Sequence, residues 1–181
     1  MKKRFVIQPA QFFAAFKQKA AVHEKDLIQH WTRGLTQYTK TIRTVLGGVA
    51  ALLDISLYNS DYYTLDAVFY RDKDIEHFDQ DATYVKSIVV AVEHENAINS
   101  SVHEMNKLQL FNTPLKVLIT YGDNAPRTEF LKKFAKIVKD ADVLSDFSTH
   151  RRQLVIFGDK PAEKIEWHPF VYKDGGWLPI T

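Results

Sequence analysis

Two acidic residues stand at the end of an apolar stretch of this sequence. Glu93 and Glu95 follow the apolar run 88–92, which is typical of a strand covered on both faces. Because side chains alternate along a strand, Glu93 and Glu95 share one face and emerge side by side. Such a pair is either a solvated strand end or part of a ligand site, since open α/β sheets bind ligands where strands end.

A third carboxylate, Asp66, interrupts an earlier strand-like segment. It lies within residues 62–70, where its eight neighbours are all compatible with a strand. Aspartate is depleted in strands. Asp66 is therefore either an outward-facing residue of an edge strand or a functional carboxylate.

A fourth carboxylate, Glu24, falls on the apolar side of a predicted helix. With Ala20 as the reference on a helical wheel, Leu27 and Trp31 lie within about 20° and Glu24 lies at about 40°. An unpaired charge on this apolar seam is costly. Glu24 therefore needs a partner, unless its side chain reaches solvent at the edge of the seam.

Asp66, Glu93 and Glu95 together offer the oxygen ligands of a hard divalent cation. Carboxylates with a main-chain carbonyl suit Mg²⁺, which retains several waters and binds the phosphate oxygens of substrates. Other chemistries lack their residues, because the chain has no cysteine, no HExxH motif, no Gly-x-Ser-x-Gly elbow and no phosphate-binding glycine loop.

The composition is that of an ordinary globular domain. Hydrophobic residues make up 45% and charged residues 25% of the 181 positions, which excludes disorder of the whole chain. No apolar run is long enough to span a bilayer, so we expect no membrane partner. The absence of cysteine fits a reducing compartment, and we expect a cytoplasmic protein.

The hydrophobic periodicity predicts a mixture of helices and strands. Helical spacing covers 9–46, interrupted at Gly34 and stopped by Gly47 and Gly48. The remaining predictions are a hairpin of 52–58 with 62–71, a strand at 84–95, a helix at 98–111, a strand at 115–121, a helix at 127–141, and strands at 154–157 and 164–172.

These elements assemble into one α/β domain over residues 1–181. It comprises N-terminal helices at 9–46, a core at 52–121, and a C-terminal helix and strands at 127–172. The helix between strands 84–95 and 115–121 implies a parallel pair with a right-handed crossover. The order of the elements predicts a sandwich with a mixed sheet.

Basic residues cluster on the predicted helix 127–141 and beside it, opposite an apolar stripe that includes Phe130 and Phe134. Such a face is either solvated or placed to contact the phosphates of a nucleic acid. The candidate phosphate contacts are Arg127, Lys132, Lys133, Lys136, Lys139, Arg151 and Arg152.

The core of this sequence resembles the PD-(D/E)XK nuclease superfamily, which has the restriction-endonuclease-like fold. The likeness covers about 62–121 and consists of an aspartate on a strand, an apolar strand ending in Glu-x-Glu, and the helix and strand that follow. It implies an α/β/α sandwich with a mixed central sheet. It also implies an endonuclease that hydrolyses DNA phosphodiester bonds with Mg²⁺, for which Mn²⁺ substitutes.

Matched residue by residue, the resemblance implies that Asp66 and Glu93 bind the metal and that His94 offers its backbone carbonyl. Glu24 corresponds to the acidic residue that many members carry on their first core helix. These residues form the expected metal site and its surroundings.

Two positions depart from the family pattern. Glu95 stands where the family usually has lysine, and Lys107 on the following helix is the expected source of the missing positive charge. The proline that gives the family its name is absent, because Thr64 and Leu65 precede Asp66.

Two functions remain open from the sequence. The first is a magnesium-dependent deoxyribonuclease that acts through these carboxylates. The second is a non-catalytic module on the same fold that binds a nucleic acid or another protein, because a fold alone does not determine function. A nucleic acid, DNA in the first case, is the expected partner, and a homodimer or a protein partner stays open.

Overall fold

Three consecutive helices begin the chain. They are α1 (Pro9–Val22), α2 (Glu24–Arg33) and α3 (Leu35–Leu52). The computed structural model describes residues 5–58, 60–77, 83–122, 124–142, 152–159 and 163–180. The break at Gly34 is confirmed, and its φ of 152° is one that glycine adopts readily. The predicted stop at Gly47 and Gly48 is wrong, because α3 buries one face along its length and this packing outweighs the poor helix propensity of glycine.

Nine strands, two further α-helices and a short 3₁₀ helix (Asp72–Asp74) follow in the described part of the chain. The strands are β1 (Ser56–Leu57), β2 (Ala67–Tyr70), β3 (Ile75–His77), β4 (Thr83–Val85), β5 (Val90–Glu95), β6 (Leu115–Tyr121), β7 (Arg152–Gly158), β8 (Trp167–Lys173) and β9 (Gly176–Pro179). Helix α4 (Ser101–Gln109) connects β5 to β6, and α5 (Asn124–Ala141) lies between β6 and β7.

Seven of the strands form one mixed sheet in the order β1-β2-β5-β6-β7-β8-β9. The three central strands β5, β6 and β7 are parallel, as predicted for β5 and β6, and their outer neighbours are antiparallel. The predicted strand 84–95 is in fact two elements, since β4 pairs with β3 in a separate hairpin and β5 begins at Val90. The fold is mixed α/β.

Helices cover both faces of this sheet. Apolar side chains of α1, α2 and α3 pack against one face, here called the α1–α3 side. Apolar side chains of α4 and α5 pack against the other, the α4–α5 side. In the described ranges, no helix is both long and apolar enough to cross a bilayer.

One edge of the sheet gathers the polar residues of interest. It is the carboxyl edge, where the parallel strands β5, β6 and β7 end and the antiparallel strands β2 and β8 begin. The pairings of Ala67 with Val92 and of Trp167 with Gly158 set this alignment. The opposite edge, where β5, β6 and β7 begin, is the amino edge.

Gly158, at the carboxyl edge, permits close packing that any side chain would prevent. A Cβ there would lie 2.7 Å from the Tyr121 ring and 2.8 Å from the Trp167 ring. We expect Gly158→Ala to lower the unfolding free energy by about 1–3 kcal/mol, as overpacked cores do. Denaturant unfolding followed by circular dichroism measures this.

Gly47→Ala is the matched control. Gly47 lies within α3, and a Cβ added there would meet open space among the described residues. The same change should therefore raise the unfolding free energy by about 0.5–1 kcal/mol through helix propensity. Equal effects of the two substitutions would contradict the packing argument.

Candidate active site at the carboxyl edge

The antiparallel pairing of β2 with β5 brings Asp66 beside Glu93. Ala67 pairs with Val92, so Asp66 lies level with the end of β5. The backbone N–H of His94 donates a hydrogen bond to Asp66 Oδ2 at 2.8 Å. By strand alternation, both Asp66 and Glu93 face the α4–α5 side.

Glu93 is completely buried. Its Oε2 lies 3.0 Å from Lys107 Nζ as an ion pair, and neither carboxyl oxygen accepts a hydrogen bond of good geometry from the described residues. Burial, followed by the negative charge of Asp66, raises the pKa of Glu93 to about 10, although Lys107 acts in the opposite direction. The Glu93 carboxyl therefore holds its proton more tightly than an exposed carboxyl does, and the nearby Glu104 acts in the same direction.

Lys107 on α4 is held by three oxygen atoms. Its Nζ lies 3.0 Å from Glu93 Oε2 and 2.5 Å from Glu104 Oε2, and it donates a hydrogen bond to the Thr64 carbonyl at 3.1 Å. Burial acts to lower the pKa of Lys107, but the hydrogen bonds to Glu104 and Glu93 outweigh it and raise the pKa. One ammonium group thus serves several carboxylates, and the site favours an additional positive charge.

The structure does not bring Glu24 to these residues. Glu24 Oε1 accepts a hydrogen bond from the backbone N–H of Ile165 at 3.3 Å. Ile165 belongs to the apolar cluster on the α1–α3 side, so Glu24 lies across the sheet from Glu93. The Ile165 amide is therefore the hydrogen-bond partner that Glu24 needs at its position on the apolar seam.

Glu95 and His94 complete the end of β5. Glu95 is half-buried, and its Oε1 accepts a hydrogen bond from the Ala97 N–H at 3.0 Å. The His94 side chain points to the α1–α3 side, where its Nε2 lies 3.0 Å from Tyr121 Oη and its ring stacks on Tyr38. Burial lowers the pKa of His94 to about 3, so this imidazole stays neutral and only the backbone of His94 faces Asp66.

The basic residues predicted to contact phosphates do not form one surface. Arg127 is buried and its Nη2 forms an ion pair of 2.7 Å with Asp159, so it is not an exposed phosphate contact. Arg152 begins β7 at the amino edge, away from Asp66 and Glu93. Arg151 lies outside the described residues.

The predicted lysines do lie on the exposed side of α5, where two of them are paired within the helix. Lys133 Nζ lies 2.6 Å from Glu129, and Lys136 Nζ lies 2.5 Å from Asp140. Lys132 and Lys139 are exposed on the same helix. Intrahelical pairing reduces the positive charge that this face offers to a nucleic acid.

A second polar group lies at the same edge, beyond β7. Asp159, Glu166 and His168 form the one group of three acidic or histidine side chains, within the described ranges, whose ligand atoms all lie within 4.8 Å of one another. Asp159 Oδ2 lies 3.1 Å from His168 Nε2, and its Oδ1 is paired with Arg127. The group could hold a metal, but the guanidinium already compensates Asp159.

Sequence reasoning missed Glu104, which completes the environment of Lys107. The available signal was its spacing, because residues three apart on a helix are neighbours. It also missed Arg43 on α3, whose Nη1 donates to the Asp66 carbonyl at 2.5 Å. That contact joins residues far apart in the chain, and no local sequence pattern predicts it.

The backbone before Asp66 makes a tight turn. Tyr62 and Leu65 exchange backbone hydrogen bonds of 3.3 and 3.1 Å, and the two residues between them have positive φ, 49° for Tyr63 and 70° for Thr64. Hairpins of this kind favour Asn-Gly at these positions. A β-branched threonine with positive φ is strained, and such a backbone conformation is maintained only where contacts with the surrounding structure fix it.

No protein-family model matches this chain, and no curated protein matches it either.

The buried Glu93 carboxyl predicts an unusual dependence of stability on pH. Its folded pKa is raised above the unfolded value of 4.5, so its stabilising effect is complete below about pH 4.5 and is lost as the pH rises towards 10. Relative to wild type, Glu93→Gln should gain stability as the pH rises, by up to about 1.4 kcal/mol per pH unit. Urea unfolding at pH 5, 7 and 9 measures the difference.

Glu129→Gln is the control, because it removes an exposed carboxylate on α5. Its difference from wild type should stay flat above pH 5. A Glu93→Gln difference that is also independent of pH would show that Glu93 is ionised in the folded protein.

Proposed function

We propose that this protein is a metal-dependent nuclease of the PD-(D/E)XK superfamily, with a restriction-endonuclease-like fold, that hydrolyses DNA phosphodiester bonds. The observation that carries the proposal is the fully buried Glu93 carboxyl beside Asp66, with Lys107 in contact, where a central parallel strand ends. Ligand sites of open α/β sheets lie at such strand ends. A mixed sheet with helices on both faces is compatible with the fold.

Mg²⁺, or Mn²⁺ in its place, would be held by the carboxylates of Asp66 and Glu93 and by the His94 carbonyl. Glu93 Oε1 accepts no hydrogen bond from the described residues, so a cation supplies the partner it lacks. The N–H and C=O of one strand residue point to the same side, so the His94 carbonyl is directed towards β2, as its N–H is. When bound, Mg²⁺ would acidify a water and neutralise charge at a phosphate.

The chain's own residues then orient the reacting groups. The His94 N–H fixes Asp66 Oδ2 and leaves the other carboxylate oxygen available. Lys107, held by Glu93, Glu104 and the Thr64 carbonyl, offsets negative charge that develops at the phosphate. Glu95, half-exposed on the same face, orients the attacking water or accepts its proton.

A non-catalytic module that binds a nucleic acid or a protein is the second candidate. The 2.5 Å ion pair of Lys107 with Glu104 favours this second candidate, because Glu104 already compensates the positive charge of the lysine without any substrate. In that case the carboxylates and Lys107 form a structural network, and no cleavage is expected.

A plasmid-nicking assay with Mg²⁺ and then Mn²⁺ tests the nuclease. Asp66→Asn and Glu93→Gln should abolish cleavage, because each removes one anionic ligand while it keeps the shape of the side chain. Lys107→Met should reduce the rate by about 10²-fold or more, the usual effect of one lost electrostatic donor.

Glu24→Gln is the matched control, since it makes the same chemical change on the other face of the sheet and keeps an acceptor for the Ile165 N–H. It should cleave like wild type. If pure wild-type protein cuts nothing with either metal, or if Glu93→Gln cuts as well as wild type, the nuclease proposal is overturned in favour of the non-catalytic module.

Thermal unfolding locates the cation without relying on activity. A metal that binds only the folded protein raises its melting temperature, by about 5 °C at roughly 100 times the Kd. We expect Mg²⁺ to stabilise wild type and Asp159→Asn but not Asp66→Asn. The opposite result, stabilisation lost only in Asp159→Asn, would place the cation at Asp159, Glu166 and His168.

A further inference from the structure

The turn before Asp66 presents an exposed aromatic ring beside the candidate active site. Tyr63 is 74% exposed, although it lies three residues before Asp66 and next to Thr64. The Thr64 carbonyl contacts Lys107, which in turn contacts Glu93. The backbone of Tyr63 is therefore one residue away from a carbonyl group that contacts the candidate site.

Tyr63 is the outer end of a row of four tyrosine rings. The ring centroids of Tyr63 and Tyr62 are 4.8 Å apart, those of Tyr62 and Tyr58 are 4.9 Å apart, and those of Tyr58 and Tyr70 are 6.3 Å apart. Tyr58 and Tyr62 are partly buried and pack against the apolar cluster of the α4–α5 side. The inner rings thus anchor the outer one to the core.

The backbone that carries Tyr63 is fixed at several points. Arg43 donates to the carbonyls of Tyr58 and Asp66, on either side of the turn, at 2.9 and 2.5 Å. Tyr62 Oη accepts a hydrogen bond from the Val85 N–H at 2.9 Å. The turn therefore fixes the backbone that carries Tyr63 before any ligand arrives, which lowers the entropy lost on binding.

We propose that Tyr63 stacks on an unpaired base of a nucleic acid bound at Asp66 and Glu93, so that the substrate is a single strand or the frayed end of a duplex. This inference rests on the proposed function, because it assumes that a phosphate of the same strand lies at the metal site. Aromatic side chains stack on bases of any sequence. A base inside a duplex is covered on both faces by its neighbours and offers no face to Tyr63.

Binding of a single-stranded oligonucleotide that contains 2-aminopurine tests the proposal. The measurement uses Ca²⁺, an oxygen-binding cation larger than Mg²⁺, with gel analysis to establish that the strand stays intact. Wild type and Tyr63→Phe should quench the 2-aminopurine fluorescence, because both present an aromatic face. Tyr63→Ser should lose this quenching and bind about tenfold more weakly, the usual effect of one lost stacking contact.

Leu110→Ser is the matched control, since it removes a 79% exposed apolar side chain at the amino edge. It should bind and quench like wild type. A blunt duplex of the same sequence should bind all four proteins equally and more weakly than the single strand. Equal affinity and quenching for Tyr63→Ser and wild type, or a preference for the blunt duplex, would overturn the proposal.

The binding readout separates this inference from the proposed function. Quenching that depends on Tyr63, in a protein that cleaves nothing with Mg²⁺ or Mn²⁺, supports the stacking contact and refutes the nuclease. Cleavage by wild type together with quenching that is independent of Tyr63 refutes the stacking contact alone.

Discussion

A carboxyl group without any exposed surface must be neutral, paired or bound to a cation, and Glu93 imposes this requirement on its surroundings. The neighbouring elements meet it only in part, because Lys107 is shared with Glu104 and Asp66 adds a like charge. A chain with an apolar residue at position 93 would have a folded state at least as stable. A buried carboxyl whose oxygens accept no hydrogen bond of good geometry from the described residues favours a role in binding over a role in folding.

The most deeply buried elements are the ones that the sequence predicts best. Strand β6 is predicted at 115–121 and found there, because a strand covered on both faces is a continuous apolar run. The β3–β4 hairpin and β9 are not predicted, since these short strands lie outside the main core and have no such pattern. Helix α3 continues past Gly47 because tertiary packing, which the local sequence does not record, outweighs helix propensity.

Some features of the candidate site can also be predicted from the local sequence, and others cannot. Alternation along β5 is a local rule, and it places Glu93 and Glu95 on one face. The pairing of β2 with β5, which sets Asp66 beside Glu93, joins segments far apart in the chain and follows from no local rule. A helical wheel identifies the apolar side of α2 but not the face of the sheet that α2 covers, so it could not place Glu24. Arg127 is paired with Asp159, thirty-two residues away, and a count of positive charges on α5 cannot reveal such a contact.

Glu93 and His94 are adjacent in sequence and opposite in environment. The Glu93 carboxyl faces Lys107, whereas the His94 ring packs between Tyr38 and Tyr121. A change of one residue in the length of β5 before Glu93 would turn every later side chain to the other face. The carboxylate would then enter a cluster of aromatic rings and the imidazole would face the ammonium group. In natural variants of this chain, we therefore expect no insertion or deletion in this strand before Glu93.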